Sequence, residues 1–185
     1  MAINLKKGGS FNLTKELPTL NKILIGLGWE MTSQTIDLDA SAFVVGANGK
    51  LLSDEYFVFY NNLKSPDGAI QHTGDNRTGS EEDDDEIILA NLALINPNAT
   101  EVVVVVSIHE AISRRHTFGL LKDAYIRLYD VEKKQEILRY DLDASHTNDN
   151  TAIFGKIRKV NGEWHFYANS EGNSTGLQGV VDIYA

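Results

Sequence analysis

The chain has 185 residues, a formal net charge of −9, 42% hydrophobic residues and no cysteine. A chain of this length can bury a substantial core without cross-links, so we expect a single domain spanning residues 1–185. The acidic balance and the lack of a basic stripe argue against nucleic acid as a partner, because phosphate binding needs Lys and Arg side chains. The absence of cysteine excludes disulfides, thiolate zinc sites and cysteine nucleophiles.

The apolar segments predict strands rather than helices, because each is short, rich in β-branched or aromatic residues and bounded by Gly, Pro, Asn or Asp. In chain order, the predicted strands are 23–29, 56–60, 102–108, 124–129, 136–140, 152–160 and 164–168. The Asn161-Gly162 pair predicts a tight hairpin between the last two. Segments 110–121 and 176–181 are candidates for short helices. Regularly spaced turns favour an all-β, antiparallel β-sandwich with a few short helices and acidic loops.

The sequence also carries information about location. The N-terminal stretch lacks the apolar run of a signal peptide, and the longest apolar run, at 102–106, is too short to cross a bilayer. We therefore expect a cytoplasmic protein that does not insert into a membrane.

The most unusual segment is the acidic run DNRTGSEEDDDE, from Asp75 to Glu86. Its last six residues are all carboxylates, which repel one another and are usually found in solvated tails. Here the run is followed at once by the apolar residues 87–89, which should enter a core. The charge must therefore be solvated in place or neutralised by cations, and hard carboxylate oxygens suit Ca²⁺ best.

A second acidic motif, DLDAS, occurs twice, at 37–41 and 141–145. In a strand, side-chain alternation would place Asp37 and Asp39 on one face and the apolar residues around them on the other. The two carboxylates would be close enough to share an ion. Equally, that face could simply meet water, and both interpretations stay open.

These acids and their neighbours offer the oxygen ligands that Ca²⁺ prefers, about six to eight per ion. The candidate metal ligands are Asp37, Asp39, Asn61, Asp75, Asn76, Thr78, Gly79, Asp84, Asp85 and Glu86. Their carboxylates, amides and main-chain carbonyls could serve about two adjacent calcium ions. An EF-hand is excluded because no glycine occupies its sixth position, and Mg²⁺ fits less well because it keeps its waters.

Glu110 is a further candidate ligand, because it follows the predicted strand 102–108 and could complete a calcium shell. The alternative is a salt bridge to Arg114 or Arg115. A zinc-protease motif is not completed, since Ser113 occupies the position of the second histidine of H-E-x-x-H. The five histidines show no tight spacing, so surface or hydrogen-bonded roles are expected for them.

One enzyme fingerprint is incomplete, because Gly26-Leu27-Gly28 lacks the rest of a dinucleotide-binding motif. An enzyme nevertheless stays the alternative, as a metal-assisted hydrolase in which an open divalent site holds an activating water. A closed protein shell would favour a structural or sensor ion, whereas an open position beside a general base would favour catalysis. Ligand candidates are abundant and base candidates few, which favours a binding module.

Several motifs, taken in chain order, carry a family resemblance. They include IDLDASAF, FVFYNNLKSPDG, HTGDNRTG and DDE, and they lie at 36–43, 57–68, 72–79 and 84–86, followed by 108–111 and 118–119. In this order they resemble the TerD family of tellurite-resistance and stress proteins over essentially the whole chain.

The resemblance implies a β-sandwich that binds Ca²⁺ through acidic loops and takes part in resistance to tellurite, phage, colicins and chemical stress. The family has no established catalytic activity. A calcium-stabilised interaction module is therefore expected, with proteins of a stress or membrane-associated complex as partners. The resemblance puts calcium ligands in the D-L-D, G-D-N-R-T-G and D-D-E segments. At residues 80–83 the chain departs from the expected mixture of Gly and Asp, which leaves the ligands of that stretch open.

Overall fold

Two facing β-sheets and three short helices form the protein, in a computed structural model that describes residues 2–31, 36–74, 84–142 and 144–185. The strands are β1 (Ile3–Leu5), β2 (Ser10–Asn12), β3 (Lys22–Met31), β4 (Leu38–Gly46), β5 (Phe57–Val58), β6 (Ile70–His72), β7 (Glu86–Asn91), β8 (Ala99–Ile108), β9 (Leu121–Asp130), β10 (Gln135–Asp141), β11 (Thr151–Val160), β12 (Glu163–Tyr167) and β13 (Glu171–Asn173). The helices are α1 (Leu13–Glu16), α2 (Ala111–Arg114) and α3 (Leu177–Tyr184). The predicted all-β sandwich is confirmed.

The two sheets meet along one side of the sandwich. Sheet A has the strand order β1-β10-β9-β3-β7-β6, and sheet B has the order β2-β12-β11-β8-β4-β5, with β13 also pairing with β11. Neighbouring strands in the described part of the chain run antiparallel, except for the parallel pair β1 and β10. At the shared side, β4 of sheet B contacts β6 and β7 of sheet A. This contact brings the acidic residues of β4 and β7 near each other.

Strand β8 is buried on both faces, as its run of valines predicts. Alternate valines of 102–106 enter the core between the two sheets. The remaining two lie in a second apolar cluster, where Val180 and Tyr184 of α3 cover the outer face of sheet B. Helix α3 therefore packs where sheet B would otherwise expose apolar side chains to water.

Turn chemistry sets the hairpin between β11 and β12. Asn161 and Gly162 both have positive φ, 50° and 81°, which is what a two-residue hairpin turn of the favoured hand requires. The strands on either side pair from Val160 with Glu163 to Lys156 with Tyr167. The predicted hairpin is therefore confirmed, and β9 and β10 form a second antiparallel pair.

The predicted strand 56–60 was too long. Only β5 is extended, and Tyr56 belongs to a 3₁₀ turn. The amide of Asn62 donates hydrogen bonds to the carbonyls of Glu55 and Phe57, at 2.9 and 2.7 Å, and so folds the chain back on itself. The strands β1, β2, β6 and β13 were not predicted, because three residues are too few to show alternation.

No helix in the described ranges is long and apolar enough to span a membrane.

We expect Phe154→Ala to lower the free energy of unfolding by about 3–5 kcal/mol, because the change leaves a cavity between the sheets. Phe154 is 1% exposed and meets Tyr140 edge-on, with ring centroids 5.6 Å apart. The control is Ile183→Ala, on the exposed side of α3, which should cost less than about 0.5 kcal/mol. Urea denaturation measures both, and equal losses would contradict this assignment of the core.

Candidate metal centre

The side-chain alternation predicted for residues 36–42 is present at the start of β4. Leu38 and Ala40 lie in the main core, whereas Asp39 is partly exposed and Asp37 is exposed. Strand β8 holds this segment in register, with Asp39 opposite Ser107. The amide of His109 continues the ladder by donating a 2.8 Å hydrogen bond to the Asp37 carbonyl.

Asp39 lies in an environment that disfavours its negative charge. Burial, together with the charges of Asp37 and Glu86, raises the pKa of Asp39 from 3.8 to about 6. His109 opposes this effect, since its Nδ1 lies 3.5 Å from an Asp39 carboxylate oxygen and lowers the pKa. The net shift is upward, so burial and the two neighbouring carboxylates together outweigh the effect of His109.

Glu86, the first residue of β7, is oriented by a buried histidine. Its Oε2 lies 2.9 Å from Nε2 of His72. The other ring nitrogen of His72 accepts a 2.9 Å hydrogen bond from the amide of Gly74. Because Nδ1 accepts, we assign the ring proton to Nε2, which then donates to Glu86. The expectation of a hydrogen-bonded histidine holds here, although sequence reasoning did not connect His72 with Glu86.

Asp84 has a buried counter-charge, Arg127. The Arg127 Nε lies 2.9 Å from Oδ1 of Asp84 and Nη2 lies 2.7 Å from Oδ2, with side chains 2% and 0% exposed. The hydroxyl of Tyr125 donates to Oδ1 at 3.0 Å, and burial and the Asp84 charge raise the pKa of this phenol. A metal ion at Asp84 would have to compete with this two-point guanidinium contact.

Two glycines of β3 make room for this ion pair. A Cβ at Gly26 would collide with the Asp84 carboxylate, and one at Gly28 would collide with the Tyr125 ring. The G-x-G pattern that fails as a nucleotide-binding motif is thus explained by the close approach of side chains to the sheet. Alternating glycines in a predicted strand were the one signal in the sequence that pointed towards this pair.

Asp85 is attached to β3 as well. Its carboxylate accepts a 2.9 Å hydrogen bond from the amide of Trp29, and its own amide donates a 2.8 Å bond to the carbonyl of Leu27. Asp84 and Asp85 thus hold the segment that enters β7 against β9 and β3, respectively.

Glu110 was expected either to complete a calcium shell or to form a salt bridge, and the structure shows the salt bridge. Its Oε2 lies 2.7 Å from Nη2 of Arg114 and accepts from Nε at 2.8 Å, while Oε1 lies 3.8 Å from Nε2 of His109. Asn61 is exposed in the turn after β5.

The remaining predicted ligands, Asp75, Asn76, Thr78 and Gly79, lie outside the described residues. Within the described ranges, no group of three or more His, Asp or Glu side chains has the spacing of a metal site. Among the described predicted ligands, Asp37 and Glu86 lie close enough to Asp39 for their charges to raise its pKa. Metal binding by the predicted residues stays a prediction.

Arg127→Met should lower the free energy of unfolding by about 3–5 kcal/mol, because it leaves the Asp84 charge buried without its partner. The double variant Arg127→Met, Asp84→Asn should lose less than the sum of the single changes, because neither charge then remains unpaired. Urea denaturation of the parent protein, the two single variants and the double variant measures the coupling energy between Arg127 and Asp84.

The control is Lys122→Met, which breaks an exposed pair with Glu30 and should leave the unfolding midpoint unchanged. Additive losses would contradict a coupled ion pair.

The comparisons with known proteins agree with one another. The TerD domain model matches residues 1–184. The chain is 42% identical over 187 residues to Tellurium resistance protein TerD of Serratia marcescens, covering all of this chain and 97% of that one. It is 37% identical to General stress protein 16U of Bacillus subtilis, again covering all of this chain and 97% of the relative. A solved homologue of telluride resistance protein (TerD) from Streptomyces coelicolor A3(2) shares the fold, with a TM-score of 0.69 at 20% identity over 88% of this chain and 95% of that one. With the family model matching nearly end to end and full-length relatives above 30% identity, this chain belongs to the TerD family of tellurium-resistance and stress-response proteins.

Proposed function

We propose that this protein binds calcium and acts in the cytoplasm, without catalysis, as an interaction module of the stress response. The observation that carries the proposal is the clustering of Asp37, Asp39 and Glu86 where β4 and β7 are in contact. Burial and, after it, the charges of Asp37 and Glu86 raise the pKa of Asp39, and His109 only partly offsets this rise. The names of the relatives support the resistance and stress part of the proposal.

The donor set suits the proposed ion. Asp37, Asp39 and Glu86 provide hard carboxylate oxygens, and Ca²⁺ prefers such ligands in a flexible arrangement. When bound, Ca²⁺ would supply the positive charge that this cluster lacks. The His72 contact would hold Glu86 in a fixed orientation, and the β4–β8 ladder would do the same for Asp39.

Further predicted ligands would complete the coordination shells of about two calcium ions. We assign this role to Asp75, Asn76, Thr78, Gly79, Asp85 and Asn61. Asp84 and Glu110 would first have to give up Arg127 and Arg114, respectively. Because Arg127 is buried and Arg114 is exposed, we expect Asp84 to serve by anchoring its neighbours and Glu110 to be the easier of the two to recruit.

Two observations support a role without catalysis. The relatives are named as resistance or stress proteins rather than enzymes. In addition, both ring nitrogens of His72 already have partners, Gly74 and Glu86, so this buried histidine is poorly placed to act as a general base. We therefore propose that the ion draws acidic segments together, and that the ordered surface is recognised by other proteins of a stress or membrane-associated complex.

Calcium should raise the melting temperature of chelated protein, and Asp39→Asn should remove most of that rise. A ligand at 100 times its Kd adds about 2.7 kcal/mol of stability. Without calcium, Asp39→Asn should not destabilise the protein, because it removes a carboxylate that its neighbours repel. Calorimetric titration with Ca²⁺, and with Mg²⁺ as competitor, measures affinity and stoichiometry, and scanning calorimetry measures stability.

Asp141→Asn is the matched control, because Asp141 begins the second DLDAS copy and pairs on the surface with Arg139. It should leave calcium affinity unchanged. We expect about two ions with micromolar or tighter affinity. No saturable heat, or equal losses in the two variants, would refute the assignment of the site.

A further inference from the structure

A pocket of about 500 Å³ opens on the outer face of sheet B, next to the candidate metal centre. The ends of β4 and β8, helix α2, the first residues of α3 and the turn after β5 surround it. Its volume lies within the range of small-molecule sites, about 300–1,000 Å³. Neither the fold nor the proposed calcium function accounts for it.

The floor of the pocket is polar. Ser107 is 4% exposed and lines the pocket opposite Asp39, so its buried side chain opens onto this space. The Asp39 carboxylate and the Ser107 hydroxyl both line the pocket, and two such acceptors suit a group that donates several hydrogen bonds.

The charge of the pocket favours a cation. Asp39 and Glu110 contribute carboxylates to the lining, and no Lys or Arg of the described residues lines the pocket. His109 also lines the pocket, 3.5 Å from Asp39, whereas Glu110 pairs with Arg114 at 2.7 Å. Because an arginine is always charged and a histidine is charged only when protonated, Asp39 is the less compensated of the two carboxylates.

The rim of the pocket is apolar. Tyr60 and Ile112 are 50% and 67% exposed, and they contribute to the lining together with Leu177. Such exposure is unusual for large apolar side chains that lie together, and it marks surface that another molecule can cover. The Tyr60 ring can also attract a cation to its face.

We propose that this pocket binds a small protonated amine with a short alkyl chain. The ammonium group donates to Asp39 and Ser107, and the alkyl chain lies against Tyr60, Ile112 and Leu177. Amine binding does not require calcium. Because Ca²⁺ and the amine both use Asp39, each lowers the affinity of the protein for the other by the same factor. This coupling, unlike the amine site itself, rests on the proposed function.

Hexylammonium is the probe, titrated into ¹⁵N-labelled protein in the presence of a calcium chelator. Saturable shifts of amide resonances are expected at Ile112, Thr175 and Gly176, which line the pocket. Hexanol and heptanoate have the same six-carbon alkyl chain with a neutral or negative head, and both should bind at least about ten-fold more weakly. Equal binding of hexanol would show that only an apolar groove is present and would overturn the proposal.

Two variants separate the head and chain contacts. Asp39→Asn should weaken hexylammonium binding at least about ten-fold, because the ion pair is lost. Ile112→Ser should weaken it about three-fold and affect hexanol equally, because only apolar contact is lost. Asp141→Asn should change nothing, and the spectra themselves report whether each variant is folded. Unchanged affinity in Asp39→Asn, or no saturable shift in the parent protein, would overturn the site.

The calcium arm uses the same titration with saturating Ca²⁺, where the apparent Kd for hexylammonium should rise. If the protein fails to bind calcium in a separate calorimetric titration, the proposed function fails, while amine binding in chelator still supports this site. If calcium and hexylammonium both bind without affecting each other, the sharing of Asp39 is refuted.

Discussion

The buried ion pair between Arg127 and Asp84 constrains the position of the acidic segment 84–86, which leads into β7. Removing two charges from water is costly, and the cost is offset only when their geometry and remaining hydrogen bonds are good. Here two guanidinium contacts and the Tyr125 hydroxyl satisfy Asp84, and glycines in β3 keep the space free. Because Asp84 lies two residues before Glu86, the pair also holds the backbone just ahead of β7.

The acids of the candidate centre are consequently unequal, although the sequence presents them as a uniform run. Asp84 is balanced by an arginine and Glu86 contacts a histidine. Asp39 is only partly balanced by His109, and its neighbours repel its charge. An added cation gains most where existing charge is least compensated, which makes Asp39 the residue at which both proposed ligands act.

Asp39 belongs to the candidate metal centre and also lines the pocket on sheet B. Its backbone is held by β8, opposite Ser107, so the side chain borders the pocket floor. The same carboxylate interacts with Glu86 of the other sheet because β4 and β7 are in contact. One residue at the side where the sheets meet therefore connects two regions that could respond to different cations.

Seven of the strands, the Asn161-Gly162 hairpin and the alternation around Asp39 were predictable, because they depend on local patterns of side chains and turn residues. The sequence by itself thus determined a β-sandwich, an acidic ligand inventory and family membership through ordered motifs. It could not reveal that Asp84 pairs with Arg127, that His72 contacts Glu86, or that Ser107 opens onto a pocket. These contacts join residues distant in sequence, and only the packing of the strands and of the two sheets decided which charges meet.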